Sequence, residues 1–208
     1  MTHRHPAHSS ASRRSAPGRS PILPLIAAAG LLLLALTALG TFASGTPEQG
    51  GAAAGSTGRD GGRIRAGEDV SVFDVDHPAV AGLDPDLRDA VQRAAADAEN
   101  EGTVFHVTSG WRSPAYQQHL LDRAVAERGS AQEAARWVAS PETSAHVAGD
   151  AIDIGGVQAQ DWIARRGAGY GLCRVYENEP WHVELRPEAA RSGCPQPFRD
   201  PTEDPRLR

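Results

Sequence analysis

The stretch "SAHVAGDAIDIG", residues 144–155, sets His146 seven residues ahead of Asp153, with Gly149 between them. "DAIDIG" alternates like a short strand. Glycine at 149 lets the backbone turn between imidazole and carboxylate. A histidine and an aspartate on either side of a turn can hold a metal ion, or they can simply hydrogen-bond within the turn. The rest of the chain decides between these readings.

About thirty residues further on, "ENEPWHVEL" (177–185) supplies His182, with Glu179 three residues before it. On a strand, His182 and Glu184 share one face while Trp181, Val183 and Leu185 take the other. His146, Asp153 and His182 then make a set of two imidazoles and one carboxylate. Zinc accepts such ligands, and catalytic zinc sites keep three protein ligands with water in the fourth place. That water becomes a nucleophile near neutral pH. Glu179 is the expected base that takes its proton and returns it to a leaving amine. A third stretch, "SGWRSPAYQ" (109–117), puts Arg112 where a strand turns into a helix. A guanidinium there suits a substrate carboxylate or a polarised carbonyl; its bland reading is a surface salt bridge.

The flanking pattern gives the fold class. "VSVFDV" (70–75) alternates as a strand does. Asp84 and Pro85 open a helix carrying Leu87, Val91, Ala94 or Ala95, and Ala98, which Gly102 ends. "TVFHVTSG" (103–110) reads as a strand. Ser113 and Pro114 open a second helix, closed by Gly129, and Ser130 with Glu133 forms a capping box for a third. Residues 158–166 read as a helix stopped by Gly167. "GLCRVYE" and "WHVEL" are strand candidates, expected to form a hairpin around Asn178. Helices come first and short strands cluster later, so the expected class is α+β, with N-terminal helices packed on a small antiparallel sheet.

Upstream of this domain, residues 1–21 are a basic leader with Arg4, Arg13, Arg14, Arg19 and no acid. An uncharged run, "ILPLIAAAGLLLLALTAL" (22–39), follows. Its length reaches the lower limit for crossing a bilayer, which predicts a transmembrane signal anchor over 22–43 with the basic side in the cytoplasm. A cleaved signal peptide, leaving a secreted protein, is the alternative. Residues 44–69 are rich in Gly, Ala and Ser and are expected to be a flexible linker. The domain is expected over 70–186, with a Pro-rich irregular tail over 187–208. The net charge of -5 becomes -9 once the four leader arginines are set aside, which argues against a nucleic-acid partner. Cys173 and Cys194 are the only cysteines. In an oxidising compartment they are expected to pair and pin the tail; zinc thiolate ligation is the rival, without a CxxC spacing to support it.

Taken together, "GWRS" (110–113), "SAHVAGDAID" (144–153) and "EPWH" (179–182) resemble the VanY-type D-alanyl-D-alanine carboxypeptidases. These are zinc peptidases that trim peptidoglycan stem peptides. The family pattern has an aromatic-Arg-Ser turn, an S-x-H-x-x-G-x-A-x-D segment and an E-x-W-H segment, and all fixed positions match in order. The resemblance implies that His146, Asp153 and His182 hold Zn2+ and that Glu179 is the general base and acid. It implies that Arg112 stabilises the oxyanion and that Ser144 helps hold the terminal carboxylate of a stem peptide ending in D-Ala-D-Ala. Gln117 takes a supporting binding role. Trp111 stands where the family usually has tyrosine, which bears on the shape of the substrate pocket. Glu184, on the same face as His182, is left to support a ligand from behind.

Other readings keep some of these residues. A dipeptidase or endopeptidase would share the fold and change the cut. A facial triad of non-haem iron also uses two histidines and a carboxylate, but the capped helices between Asp84 and Ala139 argue against its usual all-β barrel. A binding module would hold wall peptide without cutting it, against which the intact Glu179 speaks. Among the remaining histidines, His77 is expected in a loop, His106 in the core and His119 in solvent.

Overall fold

The computed structural model describes residues 58–207. The basic leader, the apolar run and most of the expected linker lie outside the described residues. Among the described residues no helix is long and apolar enough to cross a membrane.

The chain runs α1 (Gly58–Gly62), α2 (Pro78–Ala81), α3 (Pro85–Asn100), β1 (His106–Ser109), α4 (Pro114–Arg128), α5 (Ala131–Ala134), α6 (Ala145–Ala148), β2 (Ala151–Gly155), α7 (Val157–Arg166), β3 (Leu172–Arg174), β4 (His182–Leu185) and α8 (Ala189–Ser192). Short 3₁₀ turns occupy Gly167–Tyr170, Pro201–Glu203 and Pro205–Leu207. The four strands form one antiparallel sheet in the order β1-β2-β4-β3. This is the expected α+β class.

The caps are those the sequence foretells. Asp84 accepts from the amides of Asp86 and Leu87 at the start of α3. Ser113 accepts from Tyr116 N ahead of α4, and Gly129 closes α4 in the left-handed conformation at φ 82. Ser130 caps α5 through Glu133 N. β3 and β4 form the expected hairpin.

One face of the sheet is apolar. Val107, Ile152, Ile154, Leu172 and Val183 pack against Leu87, Val91, Ala94 and Ala98 of α3 and Trp162 and Ile163 of α7. Every residue of β2 from Ala151 to Ile154 is buried. Alternation therefore sends Ile152 and Ile154 into the core and Ala151 and Asp153 to the opposite face. That second face carries the chemistry.

Several expectations fail for local reasons. Residues 70–75 form no strand. Val107 N donates to Val70 O, after which the Ser71 carbonyl and hydroxyl capture Asp74 N and Phe73 N and turn the chain. The alternation survives as burial, with Val70 and Val72 inside and Phe73 and Val75 outside. Residues 58–69, expected within the linker, pack on the domain. Ser113 N donates to Gly61 O, and Ile64 joins the core. His77 stands beside Pro78 in the loop ahead of α2, as expected, but it is not solvated. It is buried and caps α2, its Nδ1 accepting from Ala79 N at 3.1 Å. His106 is not in the core: it faces outward from β1 and pairs with Asp69 at 2.7 Å. His119 is exposed, as expected. Gly167 ends α7, as expected, and a 3₁₀ turn over Gly167–Tyr170 follows directly.

The C-terminal segment departs furthest. Cys173 and Cys194 form a disulfide with Cα atoms 5.5 Å apart, as expected. Beyond it the chain folds back, and Asp200, Pro201 and Asp204 are buried. It was expected to be irregular because its prolines break periodic patterns. What holds it is polar pairing with the domain, which hydrophobic periodicity does not register.

Candidate metal and active site

Three elements bring the donors together. Asp153 on β2 and His182 on β4 are direct cross-strand partners, so the sheet itself sets their spacing. His146 comes from the one-turn helix α6. Gly149 ends that helix at φ 87, where an added Cβ would lie 2.6 Å from Gly82 O. Only glycine suits that backbone and that space. Gly110 has a similar constraint, since a Cβ there would come within 2.0 Å of Ala79 O. The close approach lets the Gly110 carbonyl accept from His146 Nδ1 at 2.8 Å.

The ligand atoms form a nearly equilateral triangle. His146 Nε2 is 3.2 Å from His182 Nδ1, and both are 3.3 Å from Asp153 Oδ1. Tetrahedral zinc with bonds of about 2.0–2.1 Å places its ligands roughly 3.3–3.4 Å apart. Asp153 Oδ1 is buried and makes no hydrogen bond, although two ring nitrogens are near. The donors converge on a common point instead of on one another. His146, Asp153 and His182 are the buried set among the described residues whose donor atoms could hold a metal ion. The residues present therefore fit zinc.

Each donor is held from behind. His146 is anchored on Gly110 O, which leaves Nε2 as the free lone pair. His182 Nε2 donates to Glu184 Oε1 at 3.2 Å, which frees Nδ1. Arg112 donates to Asp153 Oδ2 at 2.9 Å, leaving Oδ1 for the metal. Electrostatics follow from this wiring. Burial and the Arg112 charge lower the His146 pKa, so that ring is neutral. Burial also opposes charge on His182, but the Asp153 and Glu184 carboxylates outweigh it and push the ring up to about 9. Without metal, a proton on His182 takes the place of the cation.

Glu179 stands at the open side of the triangle. Its Oε2 is 3.8 Å from His182 Nδ1, and its Oε1 is buried without a hydrogen bond. Burial pushes its carboxyl up to about 7. A carboxyl that exchanges its proton near neutrality matches what acid–base work requires.

The other expected site residues divide. Arg112 lines the cavity, but three of its N–H groups are committed, to Ser109 Oγ, Gln117 Oε1 and Asp153 Oδ2. Gln117 is fully buried, and its Nε2 donates to Ala139 O. Both its polar ends are thus spent on positioning Arg112 and the 139 backbone. Ser144 precedes α6 without capping it and lines the cavity. Trp111 does not line the cavity: its ring lies over Gly82, where a Cβ would be 2.5 Å from Trp111 Cγ. The aromatics that do line it are Trp137, Tyr176 and Trp181. Trp181 is the one the sequence reading had turned away. It precedes β4, so strand alternation does not govern it, contrary to the sequence reading.

The cavity at the triad has a volume of about 330 Å³ and reaches α4 and Trp137. The guanidinium of Arg128 lies 4.1 Å over the Trp137 ring at its rim. The sequence reading missed Tyr176, whose ring centroid is 5.0 Å from that of His182, and Arg206, which pairs with Glu184. Position on the His182 face of β4 was the available signal for Glu184. No sequence signal pointed to Arg206.

The family model described as VanY, D-alanyl-D-alanine carboxypeptidase, matches residues 81–188. A protein named D-alanyl-D-alanine carboxypeptidase from Enterococcus faecalis (strain ATCC 700802 / V583) is 35% identical, with 48% of this chain and 45% of that protein covered. The chain thus spans less than half the length of that curated relative. Among solved structures, VanYB in complex with D-alanine-D-alanine is 28% identical, with 52% of this chain and 74% of that chain covered at a TM-score of 0.49. A vancomycin-resistance D,D-pentapeptidase VanY mutant from a VanB-type cassette, solved with Zn(II), is 27% identical, with 59% and 82% covered at a TM-score of 0.47. The matched span of 81–188 covers more than half of the chain and holds the whole donor triangle with Glu179 and Arg112, and so the chain belongs to the VanY D-alanyl-D-alanine carboxypeptidase family.

Proposed function

We propose that the domain is a zinc-dependent carboxypeptidase that removes the terminal D-alanine from peptidoglycan stem peptides ending in D-Ala-D-Ala. The observation that carries this reading is the buried triangle of His146, Asp153 and His182, with 3.2–3.3 Å edges, beside a Glu179 carboxylate whose Oε1 has no hydrogen bond. Zinc held by those three residues would polarise the scissile carbonyl and make water acidic enough to attack near neutral pH.

The chain's own groups do the rest. Glu179 takes a proton from the attacking water at its free Oε1 and delivers it to the departing D-alanine amine. Its burial keeps the proton affinity in the range where both transfers run. Arg112 is fixed by Ser109, Gln117 and Asp153, and its two remaining N–H groups are available for the developing oxyanion. Ser144 offers a hydroxyl that makes no helix cap, suited to the substrate's terminal carboxylate. The basic leader and uncharged run of the sequence support a domain that works outside the membrane, at the cell wall.

The test uses the purified full-length chain and a stem pentapeptide ending in D-Ala-D-Ala. D-alanine release is measured before chelation, after it, and after zinc is returned. Release that stops and recovers is the expected result. Release of a dipeptide instead would move the cut one residue inward. No release from a folded, zinc-loaded chain would overturn the peptidase reading.

A further inference from the structure

Glu184 is almost wholly buried at 1% exposure. Its carboxylate accepts from His182 Nε2, from Arg186 at 2.7 Å and from Arg206 at 2.6 Å and 3.3 Å. A buried carboxylate with too little counter-charge is costly, and it swings toward whatever cation remains. The partner from the same chain segment, Arg186, is part-exposed at the end of β4. Arg206 arrives from the far C-terminus. Its planar fork bridges Glu184 and the fully buried Asp204, with Nε donating to Asp204 at 2.9 Å and 3.0 Å. Asp204 in turn accepts from Tyr176 Oη at 3.0 Å, and the Tyr176 ring lies against His182. Two contacts of His182, the Glu184 carboxylate and the Tyr176 ring, therefore end in one segment, residues 200–207. The same segment supplies Pro201 and Leu207 to the cavity wall. It is tied down by the Cys173–Cys194 disulfide and by Arg136 on Asp200 at 3.1 Å. The family model ends at residue 188, short of all of it.

We infer that Arg206 is a positioning residue for the metal site. Acting through Glu184, it fixes the ring of His182, and the segment after the disulfide is a strap that completes the outer shell of the site. The inference rests on reading the triangle as a zinc site. Lysine cannot replace the arginine, because an ammonium reaches one of the two carboxylates but does not span both.

The test measures zinc affinity, with no substrate present, by competition with a chromophoric chelator on chelator-stripped full-length protein. Arg206→Ala is expected to bind zinc about tenfold more weakly, at the lower end of the effect of losing an outer partner. Arg206→Lys, which keeps the charge and guards against misfolding, is expected to be weaker than wild type as well. In a Glu184→Gln background the arginine substitution should cost little more, because the route through Glu184 is already broken. Wild-type or tighter zinc affinity in both single variants would overturn the inference. An equal loss in both backgrounds would overturn it too, since Arg206 would then act only by anchoring the tail. A wild-type chain that binds no zinc would sink the metal-site reading itself, and this inference with it.

Discussion

Replacing Glu179 by glutamine separates the two consequences of its burial. The residue is 6% exposed, one carboxylate oxygen has no hydrogen bond, and the carboxyl is raised from 4.5 to about 7. At about 1.36 kcal/mol for each tenfold change, holding the ionised form in this site costs the folded state on the order of 3 kcal/mol. The sign follows from proton counting. Between the unfolded and folded values the native chain binds more protons than the unfolded one, so stability falls as pH rises through that window. The cost is absent below about pH 4.5 and complete above about pH 7. Glutamine keeps the shape and has no such window. The metal-free Glu179→Gln protein should therefore gain on wild type as pH rises, reaching about 6–12 °C in melting temperature at about pH 8. Peptidase activity of the zinc-loaded variant should meanwhile drop by about 10²–10⁴-fold, the usual contribution of a positioned base. The assay is thermal unfolding after chelation at about pH 5 and about pH 8, paired with D-alanine release. A melting gap that is the same at both pH values, or a variant less stable than wild type at the higher one, would refute the argument that burial raises this carboxyl.

Zinc affinity should depend on pH, because the metal must displace the proton that Asp153 and Glu184 hold on His182, raised to about 9. The expected slope is about tenfold tighter binding per pH unit below about 9, read by chelator competition, and a flat profile would contradict the proton-for-metal exchange. The Cys173→Ser, Cys194→Ser pair should lose about 3 kcal/mol in denaturant unfolding for a closed loop of 21 residues. A loss under about 1 kcal/mol would show that polar contacts alone hold the strap. Gly149→Ala should lose at least about 1–2 kcal/mol from left-handed strain alone, with weaker zinc binding because α6 shifts away from Gly82 O. Wild-type stability there would mean that the turn relaxes without moving His146.

The site was largely legible because its residues obey short-range rules. Asp153 and His182 sit on strands with clear alternation, and Glu179 precedes His182 by three residues. Asp84, Ser113 and Ser130 capped where their chemistry says they should. Trp111 misled, since a turn can aim two successive side chains apart: Arg112 goes to the triad, and Trp111 goes to the glycine face of α2. The register of the hairpin hid Trp181 in the same way. Arg206 was illegible for a different reason. Its partner lies 22 positions away and is recognised by charge and geometry, with no periodicity to betray the pairing. His77 is buried in its loop by capping, which no apolar pattern records, whereas His106 lies outside because the alternation that sends Phe105 and Val107 inward turns it out. The Ala79 amide and the Glu68 carboxylate face the buried His77 ring, and Asp69 pairs with the exposed His106.

The cross-strand pairing of Asp153 with His182 has a mechanical side. Two corners of the donor triangle are rungs of one ladder, and they cannot separate without breaking the sheet. The third corner rides on a single helical turn hinged at Gly149. The site is thus a calliper with one jaw set by the sheet and the other by the few bonds that pin that turn, from Arg112 N to His146 O at 3.1 Å and from Asp84 N to Gly149 O at 2.9 Å. An ion of larger radius has to be met almost wholly by residues 145–149, so discrimination among cations falls to the stiffness of that one turn.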